Sequence, residues 1–303
     1  MLKSFEEVIE KAVHFGPKRI SVAVSQAEDV MDAVEQARVI GLVNGILVGD
    51  EEETIQVCKK LNINPENYEI INERDKNEAA RIAVKLVREK KAELLMKGML
   101  GTDRILKAVL DKEIGLRTQR LLSHAYVLKL KHYEKLLTVT DGAMNIAPNL
   151  EQKVQIVQNI INFCHCLEIE KPKIAILAAV EVVNPDMPAC IDAACLSKMA
   201  DRGQIMGGIV DGPLAFDNAI SKEAALHKGI NSPVSGEVDA VVMPEIETGN
   251  IFAKGLVYLA EAEPAGVLLG TTAPVIIVSR SDCPVSKVRS IALAILMSVY
   301  QNK

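Results

Sequence analysis

Short apolar runs rich in β-branched residues alternate with longer helix-period segments, and this rhythm most constrains the fold. The first run is Arg19–Val24 and the second Gly45–Gly49, with a helical pattern over Ala27–Ile40 between them. Tyr68–Ile71 and Glu93–Met96 follow helical patterns at Glu51–Leu61 and Asn77–Lys90. Strand, helix, strand at this spacing predicts βαβ units and a mostly parallel sheet. The strands are continuously apolar, as expected where helices cover both faces. At 303 residues the chain is long enough for two such domains or one large one.

The middle changes character. Ala125–Lys131 and Lys135–Thr140 lie close together and suit antiparallel neighbours. Asp141-Gly142 breaks the pattern, and a long helix is predicted over Leu150–Cys166. The rhythm resumes at Lys173–Ala179, Gly208–Val210, Asp239–Met243 and Gly266–Leu269, and a strand at Pro274–Ser279 feeds a closing helix, Val285–Tyr300. A boundary falls near Asp141, and the closing strand and helix can return to the first domain. That gives lobes of 1–140 plus 274–303 and 141–273, with no long linker, repeat or low-complexity segment.

Charge excludes some functions. Lys+Arg 35 against Asp+Glu 40 leaves a net charge of −5, which argues against nonspecific nucleic-acid binding. Aromatics are 3% and Trp is absent, so stacking platforms are not expected. No apolar stretch is long enough to cross a membrane, and the acidic, amphipathic start does not read as a signal peptide. Six cysteines without a C-x-x-C pair read as reduced thiols, so a cytoplasmic protein is expected.

In an open α/β protein, ligands bind beyond the carboxyl ends of the strands. Five segments there carry Gly, hydroxyl and charged residues: Gly49-Asp50, Lys97–Asp103, Asp211–Asn218, Met243–Asn250 and Ser279–Pro284. The last is the most informative. Ser279 offers a hydroxyl, Arg280 a planar cation suited to phosphate or carboxylate, and Asp282 a carboxylate. Pro284 suits the first position of a helix, whose free N–H groups favour an anion. A capped helix with a surface ion pair is the bland reading of the same residues.

Lys97-Gly98 and Thr102, with Lys107 on the following helix, form a second candidate anion site. Capping by Thr102 or Asp103 and a solvated Lys107 are the alternative. Asp211 and Asp217 can bind a cation or orient a basic residue, with Asp217 better suited to a helix cap. Thr248-Gly249-Asn250, with Lys254 one turn later, reads as a further helix start, where a cap or a ligand contact fits. No phosphate loop, nucleophile elbow or H-E-x-x-H pair is present. Cys164-His165-Cys166 lies on a helix, where neighbours point apart, and no four convergent metal ligands emerge. Cys283 lies in the Ser-Arg loop, where a reactive thiol is conceivable but a local role fits better.

Six segments in order carry a resemblance: Asp141–Lys153, Glu181–Pro185, Leu196–Gly203, Asp211–Ser221, Gly249-Asn250 and Ser279–Asp282. With them the chain resembles the phosphate acetyl/butyryl transferase family along its whole length. The resemblance implies two α/β/α lobes with mostly parallel sheets, isocitrate/isopropylmalate dehydrogenase-like, with the active site in the inter-domain cleft. It implies acyl-CoA, CoA and inorganic phosphate as partners, direct transfer in a ternary complex, homo-oligomers, and neither metal nor cofactor beyond CoA as substrate. Neither nucleic acid nor membrane is expected as a partner.

By the match, Ser279 hydrogen-bonds the carbonyl or the leaving sulfur, and Arg280 binds phosphate. Lys107 falls where acetyl-type members carry an arginine. Acetyl-specific members read Ser-Arg-Gly, with an acid several residues on. Here the only acid is Asp282, and Ser286 stands near the expected acid position. Either Asp282 is the base or another loop supplies it, and the departure favours the butyryl branch. A noncatalytic anion-binding protein and a dehydrogenase are the competing classes; no dinucleotide fingerprint supports the latter.

Overall fold

The computed structural model describes residues 1–279 and 282–301. Along the chain, α1 (Phe5–Val13) leads into β1 (Lys18–Ala23), α2 (Glu28–Val39), β2 (Val43–Gly49), α3 (Glu51–Lys60), β3 (Glu69–Asn72), α4 (Lys76–Arg88), β4 (Leu94–Lys97) and α5 (Thr102–Val109). The middle stretch holds β5 (Ser123–Lys129), β6 (Leu136–Thr140), α6 (Leu150–Cys166), β7 (Lys173–Leu177), α7 (Pro188–Asp201), β8 (Ile209–Leu214), α8 (Phe216–Ile220), α9 (Lys222–His227), β9 (Ala240–Val242) and α10 (Ile246–Leu259). The chain closes with β10 (Glu263–Leu269), β11 (Val275–Ile276) and α11 (Pro284–Gln301).

Two compact units result. One comprises Phe5–Arg120 and the chain from Ala265 onward; the other comprises Met1–Ser4 and Leu121–Pro264. In the first, the strand order is β3-β2-β1-β4-β11-β10. All neighbours are parallel except β10 and β11. β11 pairs with β4 through Val275–Leu95 and Ile276–Met96, so the last strand and α11 join the elements that open the chain. Parallel pairing needs covered faces, and Ile20, Val22, Leu47, Leu94, Leu95 and Met96 are all buried.

In the second unit the order is β5-β6-β9-β7-β8. β5 and β6 pair antiparallel, as their short polar link predicts, and the other neighbours pair parallel. Leu128, Leu137, Val139, Ala175, Val241 and Ala253 share its core. Both units are thus mixed α/β with mostly parallel sheets.

Local chemistry starts the helices. The Asp50 side chain caps α3 by accepting the Glu53 N–H at 3.1 Å. Asn149 and Gln152 exchange bonds at 2.9 Å in a capping box that opens α6. Gly98 answers to close approach: a Cβ there would lie 2.2 Å from the Val24 carbonyl oxygen. The end of β4 therefore packs directly on the end of β1.

Candidate active site

The Ser279–Cys283 loop joins β11 to α11, and Pro284 is the first residue of that helix, as its sequence position predicts. The Ser279 N–H donates to Asp282 Oδ2 at 2.8 Å, and the Asp282 N–H donates to the Ser279 carbonyl at 3.2 Å. These two bonds link an exposed Ser279 to a half-buried Asp282. Arg280, together with Ser281, lies outside the described residues.

One step into α11, the Ser286 hydroxyl lies 3.2 Å from Cys283 Sγ. Ser286 is buried, and its carbonyl accepts the Ser290 hydroxyl at 2.9 Å, whose oxygen in turn accepts the Gly266 N–H at 2.9 Å. The start of α11 is thereby fixed to β10. Burial pushes the Cys283 thiol up, but hydrogen bonds from the Ser286 hydroxyl and the Ser286 and Val285 N–H groups, with the Arg289 charge, outweigh it and lower its pKa. Cys283 is the exposed cysteine of the six; the others are buried or half-buried.

In the same unit, Gly101 occupies the cap position of α5, so neither Thr102 nor Asp103 is the cap. Thr102 is the first helical residue, half-buried at an end that favours anions. Lys107 sits in the last turn of α5, exposed, about 7.5 Å farther along the axis at 1.5 Å per residue. Lys97 is buried and folds back over its own loop, donating to the Leu100 carbonyl at 3.3 Å.

In the second unit, three expectations are corrected. Asp211 is not in a loop: β8 continues through it to Leu214, with a register shift against β7. Its carboxylate accepts the Ser197 hydroxyl at 3.2 Å and the Gly212 N–H at 2.9 Å, so it is engaged within its own sheet and α7. Asp217 is not the cap of α8, a position held by Ala215; it pairs instead with Lys228 at 2.9 Å. The helix carrying Asn250 begins at Ile246, not near Gly249, because the Glu245 carboxylate accepts the Glu247 and Thr248 N–H groups at 2.9 Å each.

Asn250 faces the end of β6, donating from Nδ2 to the Gly142 carbonyl at 3.1 Å. The Gly142 and Gly249 backbones touch: a Cβ on Gly249 would lie 2.7 Å from the Asp141 carbonyl oxygen. Lys254, one turn beyond Asn250, is exposed.

Asp141, a pattern break in the sequence, is the hub of this loop. Its buried carboxylate accepts the N–H groups of Ala143, Met144 and Asn145 at 3.0–3.1 Å and Asn145 Nδ2 at 2.6 Å. Asn145 Nδ2 also reaches the Leu122 carbonyl at 2.8 Å. The signal available in sequence is an Asp-Gly after a strand with an Asn four residues on, which suits an Asx-type loop.

Cys164, His165 and Cys166 diverge as helical spacing predicts. Cys164 is buried, His165 Nε2 contacts the Gly207 carbonyl at 2.8 Å, and Cys166 Sγ contacts the Asn162 carbonyl. Among the described residues no group of three or more His, Cys, Asp or Glu side chains is placed to hold a metal. No helix among them is long and apolar enough to cross a membrane.

The structure therefore joins Ser279, Asp282 and the start of α11 at Ser286 in one unit, and fixes Asn250 to the Asp141 loop in the other.

The chain is 46% identical over 298 residues to a phosphate butyryltransferase of Clostridium acetobutylicum, covering 98% of this chain and 99% of that one. It is 46% identical over 283 residues to a phosphate acetyltransferase of Rickettsia typhi, covering 92% and 81%. The crystal structure of a branched-chain phosphotransacylase from Enterococcus faecalis V583 superposes with a TM-score of 0.84 at 31% identity, covering 93% and 99%. The model of the phosphate acetyl/butaryl transferase family matches residues 76–295, from α4 into α11. The chain belongs to that family.

Proposed function

We propose that the protein catalyses reversible transfer of a short-chain acyl group, butyryl or similar, between CoA and inorganic phosphate. The observation that carries this is the 46% identity, over nearly the whole of both chains, to a phosphate butyryltransferase. In the forward direction a phosphate oxygen attacks the thioester carbonyl. The new C–O bond forms, the C–S bond breaks, and the sulfur leaves with the proton given up by phosphate. Holding both substrates in register replaces a two-body encounter and supplies much of the rate.

In this reading Arg280 binds phosphate and the Ser279 hydroxyl hydrogen-bonds the carbonyl oxygen or the leaving sulfur. Asp282 takes the thiol proton when CoA attacks acyl phosphate and returns it in the other direction. The bond from the Ser279 N–H to the Asp282 carboxylate supports this, because it keeps the two residues together. Thr102, Lys107, Asn250, Lys254 and Ser286 are proposed to line substrates, and Asp211 to orient a neighbouring group. The isocitrate/isopropylmalate dehydrogenase-like two-lobed architecture, a homo-oligomeric state, a cytoplasmic setting, and the absence of any cofactor beyond CoA as substrate belong to the same proposal.

Acetyl transfer is the second reading, because a relative named for it is equally identical. A panel from acetyl-CoA to hexanoyl-CoA at fixed phosphate separates the two. The proposal expects the highest kcat/KM at the four-carbon or branched four-carbon thioesters. A maximum at acetyl-CoA supports the second reading, and no phosphate-dependent release from any member overturns both.

A further inference from the structure

Lys287 breaks local rules. It is the fourth residue of α11, where the helix dipole disfavours a cation. It is also 1% exposed, and burying an ammonium is costly unless it is paired and hydrogen-bonded. Both requirements are met, by one partner in the Ser279–Cys283 loop and a second on α2. Nζ donates to the Asp282 carbonyl and pairs with Asp29 Oδ2 on α2 at 2.9 Å. A residue that breaks local rules and is compensated by such partners points to a functional site.

The connections form a frame. Asp282 is bonded to Ser279 through its carboxylate and its N–H. Its carbonyl is tied by Lys287 to α11 and, through Asp29, to α2. The first turn of α11 is itself held to β10 through Ser290 and Gly266. Among the described residues, a buried cation thus holds the Asp282 carbonyl, and the Asp29 side chain, at 42% exposure, is a carboxylate paired with that cation.

We infer that Lys287, charge-balanced by Asp29, is a positioning residue that holds Asp282 beside Ser279 for acyl transfer without itself touching the substrates. The rate consequence rests on the acyl-transfer reading above; the anchoring does not. Lys287→Met keeps the stem and removes the donor and charge. Asp29→Asn leaves Lys287 in place and removes its counter-charge from a partly exposed site.

The test measures initial rates with butyryl-CoA and phosphate, together with hydrogen exchange of the peptide spanning residues 279–283, for the full chain and each variant. A misplaced catalytic loop costs up to about 100-fold in rate. Lys287→Met is therefore expected to lower kcat by about 10- to 100-fold with the butyryl-CoA KM within about threefold. Its loop amides exchange at least about tenfold faster. Asp29→Asn moves both readouts the same way by at least about threefold, and it carries the test alone if Lys287→Met does not fold. Faster exchange with kcat within about twofold of the parent means a structural pair only and overturns the inference, as does unchanged exchange in both variants. If the parent shows no phosphate-dependent release, the acyl-transfer reading fails by itself, and an unchanged exchange readout still refutes the anchor.

Discussion

Replacing Asp141 by Asn changes one atom of a carboxylate that gathers four donors. Oδ1 accepts the Ala143 and Met144 N–H groups, and Oδ2 accepts the Asn145 N–H and Nδ2. Whichever way the Asn amide turns, one pair of donors faces an NH₂ group that can only donate. Two bonds are lost, and the remaining two pass from charge-assisted to neutral. Bonds to a charged group contribute about 1.5–3 kcal/mol and neutral ones about 0.5–1.5 kcal/mol. Partial solvent access of the donors reduces the total, so the expected loss is about 2–4 kcal/mol.

Urea unfolding followed by circular dichroism measures the loss, and hydrogen exchange at Ala143, Met144 and Asn145 localises it. Each 1.4 kcal/mol corresponds to about a tenfold faster exchange through local opening. Because Gly142 accepts from Asn250, the same change should also raise a substrate KM if Asn250 contacts substrate. A variant within about 0.5 kcal/mol of the parent, with unchanged exchange at these amides, refutes the assignment of Asp141 as the hub of its loop.

Further outcomes follow from the local geometry and from the proposed chemistry. Gly249→Ala should gain about 1 kcal/mol of helix propensity yet lose more from a Cβ 2.7 Å from the Asp141 carbonyl, for a net loss of about 1–2 kcal/mol; a higher melting temperature contradicts this. Cys283 should be alkylated faster than the other five cysteines, with a midpoint below that of an ordinary thiol because a lowered pKa leaves more thiolate at a given pH; Ser286→Ala should move that midpoint up, and an unmoved midpoint removes the Ser286 bond as a cause. Asp282→Asn should lower kcat by about 100-fold or more with a smaller change in CoA affinity, and Arg280→Ala should raise the phosphate KM while lowering kcat; a near-normal rate in either variant moves that role to another residue.

Much of the fold is legible in the sequence because burial on both faces leaves a mostly apolar signature. Ile20–Ala23, Ile46–Val48 and Leu94–Met96 read as strands for that reason, and each is buried in a parallel sheet. Pro284 marks a helix start because a missing N–H costs nothing there. What is not legible depends on partners distant along the chain. Asp211-Gly212-Pro213 has the composition of a turn, yet pairing of Asp211 and Leu214 with β7 on either side keeps it within the strand. Thr248-Gly249-Asn250 has the composition of a helix start, yet Glu245 captures the first N–H groups one turn earlier.

The candidate site divides along the same line. Ser279 and Asp282 are close in sequence, and their spacing suits the hydrogen bond that joins them. Lys287 looks like an ordinary helical lysine, because its carboxylate partner, Asp29, lies near the other end of the chain. Lys107 has the right charge for an anion site, but the length of α5 separates it from the Thr102 end of that helix.

The most direct measurement quantifies free CoA thiol and acyl phosphate together in one reaction of the purified protein with butyryl-CoA, with and without inorganic phosphate. The account predicts equal amounts of thiol and butyryl phosphate when phosphate is present, and neither when it is omitted. Thiol released without phosphate, or no acyl phosphate in its presence, contradicts transfer from CoA sulfur to a phosphate oxygen.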